Sequence, residues 1–194
     1  PSNQIELNYI GRFNPSDAST STCEIVVHDP TSQRLFTTSA VAGYLDIIDF
    51  SNPTNPSVIS SVNINPYGGV TSVAVKNGIV AVASPNADET LNGSIVFFNN
   101  NGTFLNQVTV GALPDMITFS PDGTKVMTAN EGQPNTDYSI DPEGSVSIID
   151  ISGGIASLSQ SNVTTLLFTS YNAQEATLIA SGVRKLKSTS TLSQ

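Results

Sequence analysis

The chain has 194 residues, with 7 Lys and Arg against 16 Asp and Glu, which gives a formal net charge of −9. Seven scattered cations cannot build the basic face that nucleic-acid binding requires. No apolar run reaches the roughly 18–20 residues of a membrane-spanning helix. The single cysteine, Cys23, excludes an internal disulfide and a multi-thiolate zinc site. We therefore expect no nucleic-acid partner and no membrane insertion.

The first predicted element is the segment 5–10, whose sequence is typical of a strand. It is followed by three units of similar design. Each contains a glycine-led apolar strand, at 43–49, 93–99 and 144–150, so that the leading glycines are 50 and 51 residues apart. A strand-like segment of small and β-branched residues precedes each of these strands, and a further strand lies upstream of it. Strong turn formers separate them, for example Asn77-Gly78 and Pro121-Asp122-Gly123.

A fourth strand follows in each unit, at 58–62, 104–108 and, less regularly, 155–168. Four strands in each unit of about 45–50 residues are typical of a β-propeller, whose blades are four-stranded antiparallel sheets. We predict an all-β fold with blades at about 23–65, 70–110 and 114–168, together a partial propeller within residues 1–170. Val73, Ala74 and Val75 are small enough for the crowded centre of the ring. A β-sandwich is the alternative.

Three blades do not close a ring, because propellers typically have four to eight. We therefore expect the chain to belong to a larger ring, with residues 5–10 as a strand of a neighbouring blade. Self-association through the open propeller edges is the alternative.

The last 24 residues, 171–194, differ in character. Asn172 followed three residues later by Glu175 fits a capping box and predicts one short helix, which Gly182 ends. Residues 181–194 hold three cations and no acid. We interpret 171–194 as a helix with a basic, flexible tail, or as an insertion between blades.

Loops carry function in propellers, and the loop before the third strand of each unit lengthens along the chain. In the third unit it covers residues 131–143 and holds four carboxylates and no cation. Asp137, Ser139, Asp141 and Glu143 alternate, which places oxygens on one side of an extended loop, as a calcium ion requires. Solvated loop residues are the alternative interpretation. Asp88 and Glu89, in the corresponding loop of the second unit, complete the same site if both loops share one face.

Two other residues with reactive side chains are assigned structural roles. His28 precedes the turn Asp29-Pro30, and no Gly-x-Ser-x-Gly motif supplies a nucleophile for it. Cys23 is predicted to be a buried small hydrophobe at the start of a strand.

The stretch from Gly111 to Asp150, which contains Ala-Asn-Glu-Gly at 129–132 and Asp-Pro-Glu-Gly at 141–144, resembles the choice-of-anchor I family. Residues 171–176 and 182–184 are similar to the segment that follows in that family. The family includes bacterial surface propellers and resembles the mesenchyme-specific cell-surface glycoproteins of biomineralising animals. Some members carry an alkaline-phosphatase label, and others are linked to calcium-rich matrices. The residues that match its acidic loop are Asn130, Glu131, Asp137, Asp141 and Glu143.

These observations lead to three functional hypotheses. The first is an extracellular or cell-surface binding or structural module that holds Ca²⁺ in the 131–143 loop and contacts matrix, polysaccharide or protein. The second is a calcium-dependent phosphatase-like hydrolase of which this chain is a fragment, although no nucleophile is identifiable. The third is a metal-free protein–protein interaction propeller.

Overall fold

The computed structural model describes residues 5–13, 23–185 and 188–194. Its strands form three four-stranded antiparallel sheets, and within each sheet the strands lie side by side in chain order. Blade 1 consists of β1 (Cys23–Asp29), β2 (Arg34–Ser39), β3 (Tyr44–Asp49) and β4 (Ser57–Asn63); blade 2 of β5 (Ser72–Lys76), β6 (Ile79–Ser84), β7 (Asn92–Asn99) and β8 (Phe104–Ala112); and blade 3 of β9 (Pro114–Phe119), β10 (Lys125–Asn130), β11 (Ser145–Asp150) and β12 (Val163–Leu167). The predicted β-propeller with three blades is confirmed.

The first strand of each blade lies on the inner side, next to the first strand of the neighbouring blade. Strand β5 contacts both β1 and β9. Val73 and Ala74 of this strand are buried, as expected for the crowded centre of the propeller.

The two-residue period of the strands builds a separate core on each side of blade 2. On β7, Val96 and Phe98 pack toward blade 1, whereas Ile95 and Phe97 pack toward blade 3. Both phenylalanines are buried, and truncating such a side chain to alanine typically costs about 3–5 kcal/mol of stability. The blades are therefore held together face to face by apolar packing.

Repeated turn chemistry fixes the connections between strands. Asp49 at the end of β3 accepts the backbone N–H of Ser51 at 2.9 Å, and Asp150 at the end of β11 accepts that of Ser152 at the same distance. Asn77 and Gly78 both have positive φ, 51° and 75°, which is the backbone of a two-residue hairpin. The turn in which an aspartate carboxylate accepts a backbone N–H thus ends the third strand of blades 1 and 3, at Asp49 and at Asp150.

Irregular structure surrounds the last strand and the C-terminal helix. Short 3-10 helices lie at Asn65–Tyr67, Ile155–Ser157, Gln160–Asn162 and Thr169–Gln174, and the α-helix α1 covers Glu175–Ala180. The fourth strand of blade 3 is thus only the last part of the predicted 155–168 stretch. The predicted helix is present, and Gly182 with a φ of 106° follows its end.

Two predictions about individual residues are wrong. Asn172 does not cap α1, because its amide group exchanges hydrogen bonds of 2.9 Å with the backbone N–H and the hydroxyl of Ser193. Cys23 is exposed, not buried, because it lies at the end of an edge strand where the pairing of β1 with β2 is irregular.

Residues 5–10 form no strand in this structure and are highly exposed. Their pairing with a blade outside these three sheets stays a prediction. Within the described parts of the chain, no helix is long and apolar enough to cross a lipid bilayer.

Candidate functional site

The loops that carry most of the acidic residues lie at one end of the three blades. Neighbouring connections at this end contact one another: the Thr71 hydroxyl donates to the Pro114 carbonyl at 2.6 Å, and the Glu131 N–H donates to the Leu113 carbonyl at 2.9 Å. We call this the acidic end. Its carboxylates within blades 2 and 3 come from Asp88, Glu89, Asp115, Glu131, Asp137, Asp141 and Glu143.

The Lys and Arg side chains of residues 23–167 lie at the opposite end. They are Arg34 at the start of β2, Lys76 at the end of β5 and Lys125 at the start of β10. Lys125 lies 3.6 Å from the carboxylate of Asp150, and Arg34 donates to Asn101 at 2.7 Å. The blades are therefore electrically polarised, with nearly balanced charge at one end and a negative potential at the other.

Glu131, the first residue of the predicted site, lies near carboxylates of two other segments. Burial first, and then the charges of Asp115 and Glu89, raise the pKa of Glu131 above its usual value. The β6–β7 loop, which contains Glu89, and the 131–143 loop both lie at the acidic end. That they complete one site stays a prediction. Repulsion among these carboxylates is the electrostatic condition that a bound cation would relieve.

Asn130 lies inside the molecule and not in the loop. Its side chain is 3% exposed, and its amide nitrogen donates to the hydroxyls of Ser145 and Ser147 at 3.0 Å each. These residues face blade 2, where Gly111 leaves the space that the amide occupies. Asn130 therefore ties β10 to β11 within the core between the blades.

Asp137 and Asp88 stabilise turns of their own loops. The carboxylate of Asp137 accepts the backbone N–H and the hydroxyl of Ser139, at 3.0 and 2.7 Å. Asp88 accepts the same two groups from Thr90, at 3.1 and 2.7 Å. These hydrogen bonds lower the pKa of both carboxyl groups, so both stay ionised at neutral pH.

Asp141 and Glu143 are held by the C-terminal segment, residues 190–194. The Ser190 hydroxyl donates to the Asp141 carboxylate, and the Ser193 hydroxyl donates to Glu143 at 3.3 Å. The backbone N–H of Gly144 also donates to the Ser193 carbonyl at 3.1 Å. The predicted flexible tail, of which residues 186–187 lie outside the described residues, thus ends in a segment packed on the acidic loop. No motif in the sequence indicates this contact.

The predicted calcium ligands are oxygen donors of the right chemical type, but they do not meet at one point. In the described residues, no three or more Asp, Glu, His or Cys side chains are grouped closely enough to hold a metal ion. The charges of Asp115 and Glu89 act on Glu131, whereas Asp141 and Glu143 accept hydrogen bonds from the C-terminal segment. Calcium binding through this loop stays a prediction, and it requires the carboxylates to move together.

His28 has the structural surroundings that the sequence suggested. Its ring packs edge-on against Phe50, with ring centroids 5.6 Å apart, at the end away from the acidic loops.

Comparison with protein families identifies the chain. The profile of the choice-of-anchor I domain matches residues 24–194. The chain belongs to the choice-of-anchor I family. This assignment covers all three blades and points to a surface-associated propeller module. A search of curated protein sequences finds no match.

Solved structures with similar folds support the propeller architecture of this choice-of-anchor I domain. Hydrazine synthase from Kuenenia stuttgartiensis matches 72% of this chain and 40% of its own, with a TM-score of 0.52 and 12% identity. A functionally unknown protein from Desulfotomaculum acetoxidans DSM 771 matches 79% of this chain and 50% of its own, with a TM-score of 0.52 and 15% identity. A protein from Lactobacillus plantarum matches 74% of this chain and 45% of its own, with a TM-score of 0.50 and 15% identity. The chain spans half or less of each of these proteins, and identities this low indicate the fold alone.

Proposed function

We propose that this choice-of-anchor I domain is an extracellular binding or structural module that uses its acidic end to hold Ca²⁺. The observation that carries the proposal is that Glu89, Asp115 and Glu131 come from three separate segments at one end of the blades, while Arg34, Lys76 and Lys125 lie at the other end. Carboxylates from three separate segments therefore repel one another at this end. A divalent cation would relieve that repulsion and fix the loops relative to one another.

The rest of the 131–143 loop supports a binding surface more than a catalytic centre. Asp137 is engaged in its own turn, and Asp141 and Glu143 hold the C-terminal segment. Phosphoryl transfer needs positive charge around the transferred group. Within the blades, residues 23–167, the Lys and Arg side chains lie at the opposite end. The arrangement favours a module that presents a cation-bridged surface to matrix or polysaccharide.

Thermal unfolding in Ca²⁺ and in chelator tests this proposal. A ligand that binds only the folded state adds roughly 2.7 kcal/mol of stability at a hundredfold excess over its Kd. We expect the melting temperature to rise in millimolar Ca²⁺ and the rise to shrink in Glu131→Gln and in Glu89→Gln. Asp150→Asn, at the opposite end, is the matched control and should keep the full response.

Each other outcome selects a different function. An unchanged melting temperature at millimolar Ca²⁺ would overturn the calcium proposal and favour a metal-free interaction propeller. Release of phosphate from p-nitrophenyl phosphate that depends on Ca²⁺ and is lost in Asp141→Ala would instead support the phosphatase-like hydrolase.

A further inference from the structure

A second feature of the acidic end is a cleft between the 133–141 part of the loop and the C-terminal segment. Its volume is about 450 Å³, which is within the usual range of small-ligand sites. The Ser190 hydroxyl and the Gln194 side chain, which donates to the Asp141 carbonyl at 2.8 Å, connect its two walls. The cleft is thus held in shape by hydrogen bonds and is separate from the carboxylates around Glu131.

The lining of this cleft combines apolar surface with neutral polar groups. Pro134 and Tyr138 provide the apolar surface, and Gln133, Thr136 and Gln194 provide amide and hydroxyl groups. The face of a sugar ring is apolar and packs on an aromatic side chain, while its hydroxyls need amide and carboxylate partners. We propose that this cleft binds a neutral saccharide unit, with the Tyr138 ring as the stacking surface.

The charge of the cleft selects against acidic sugars. Asp141 carries the formal charge, and no Lys or Arg is found among the described residues that line the cleft. A uronate or sulfated sugar would bring its own negative charge next to this carboxylate, which is unfavourable. A neutral hexose can instead donate a hydroxyl to that carboxylate.

The backbone conformation of Tyr138 is energetically unfavourable. Its φ is 58°, in the left-handed region that bulky residues avoid. The turn around it compensates, because the Tyr138 N–H donates to the Asn135 carbonyl at 3.0 Å and Asn135 also binds Ser139 and Ile140. Strained positions of this kind concentrate at binding sites. Tyr138 is 44% exposed, so part of its side chain is accessible to a ligand.

Two substitutions of Tyr138 separate folding from binding. Tyr138→Gly removes the ring and relieves the strained φ, while glycine gives the unfolded chain more freedom, so we expect the protein to fold with a melting temperature close to that of the natural protein. Tyr138→Trp keeps an aromatic ring and introduces the only tryptophan of the chain, since the natural sequence contains none. Its fluorescence then reports on the cleft alone. Tyr44→Ala, on blade 1, is the control for loss of a partly exposed tyrosine.

The test is calorimetric titration with neutral, acidic and amino hexasaccharides: cellohexaose, xylohexaose, chitohexaose, polygalacturonic hexamer and chitosan hexamer. We expect at least one neutral hexamer to bind and to change the fluorescence of Tyr138→Trp. Tyr138→Gly should weaken the binding of this neutral hexamer roughly tenfold or more, which corresponds to about 1.4 kcal/mol of binding free energy. Tyr44→Ala should leave it unchanged. No binding of neutral hexamers, binding of the acidic or the amino hexamer alone, or binding that survives Tyr138→Gly would overturn the proposal.

This inference rests on the proposed role as a surface binding module but does not depend on calcium at Glu131. The titrations are therefore repeated in Ca²⁺ and in chelator. If Tyr138→Gly loses saccharide binding but keeps the calcium response, the saccharide site is the cleft and is independent of the calcium site. If Glu131→Gln loses the calcium response but keeps saccharide binding, Glu131 contributes to calcium binding and not to saccharide binding.

Discussion

The ionised form of Glu131 is unfavourable at its position in the folded protein. Its pKa is raised above the ordinary value of 4.5 by burial and by the neighbouring Asp115 and Glu89. The folded state therefore binds more protons than the unfolded state as the pH passes 4.5. Stability that is present below this pH is lost as the pH rises through the raised pKa of the folded protein.

We therefore expect Glu131→Gln to be more stable than the natural protein at neutral pH and equally stable near pH 3, where the glutamate is protonated too. Denaturant unfolding across this pH range in chelator measures the difference. Asp137→Asn is the control of opposite sign, since hydrogen bonds with Ser139 lower the pKa of Asp137. If Glu131→Gln has no advantage at neutral pH, the carboxylates do not repel one another.

At the scale of the element, Gln160 takes the place of a neighbouring strand at the outer edge of blade 2. Its side-chain carbonyl accepts the Thr109 N–H at 3.0 Å, and its amide nitrogen donates to the Thr109 carbonyl at 2.9 Å. One glutamine thus satisfies both backbone groups of an edge residue and links the blade 3 connection to β8. Covering exposed strand edges is a common defence against aggregation.

We expect Gln160→Ala to lower the free energy of unfolding by about 0.5–1.5 kcal/mol, since exposed hydrogen bonds are partly replaced by water. Urea denaturation measures the loss. Gln107→Ala, at an exposed position of the same strand, is the matched control. Equal stability of the two variants would show that the link through Gln160 contributes nothing.

The elements show why the sequence predicts the fold better than the site. The glycine-led strands 43–49, 93–99 and 144–150 recur because every blade must solve the same packing problem. Their two faces, for example Phe97 and Phe98, follow from the period of the strand. The contacts of Asp141 with Ser190 and of Glu143 with Ser193 follow no such period. They join residues about 50 positions apart through short polar side chains, which carry no pattern in a sequence rich in serine.

At the scale of the whole molecule, the two sides of blade 3 differ in what covers them. Val126 and Ile149 face blade 2 and are buried. The other face of the same sheet includes Met116 of β9, which is 53% exposed, and Leu166 of β12, which is 50% exposed. Val146 lies between them in the sheet register, and Met127 pairs with Ile148 in the next row of the same face. This apolar face has the character of a surface between propeller blades.

We expect the isolated chain to self-associate through this face, because nothing in the described structure covers it and burying apolar area is favourable. Leu166→Lys places a charge on this face, at its edge strand β12, and should shift the protein toward monomer in sedimentation velocity runs at increasing concentration. Its melting temperature should change little, since the side chain is half exposed. Val58→Lys, on the outer strand of blade 1, is the control and should associate like the natural chain. Association that persists in Leu166→Lys would place the contact elsewhere, whereas its loss would locate the contact between copies on this face.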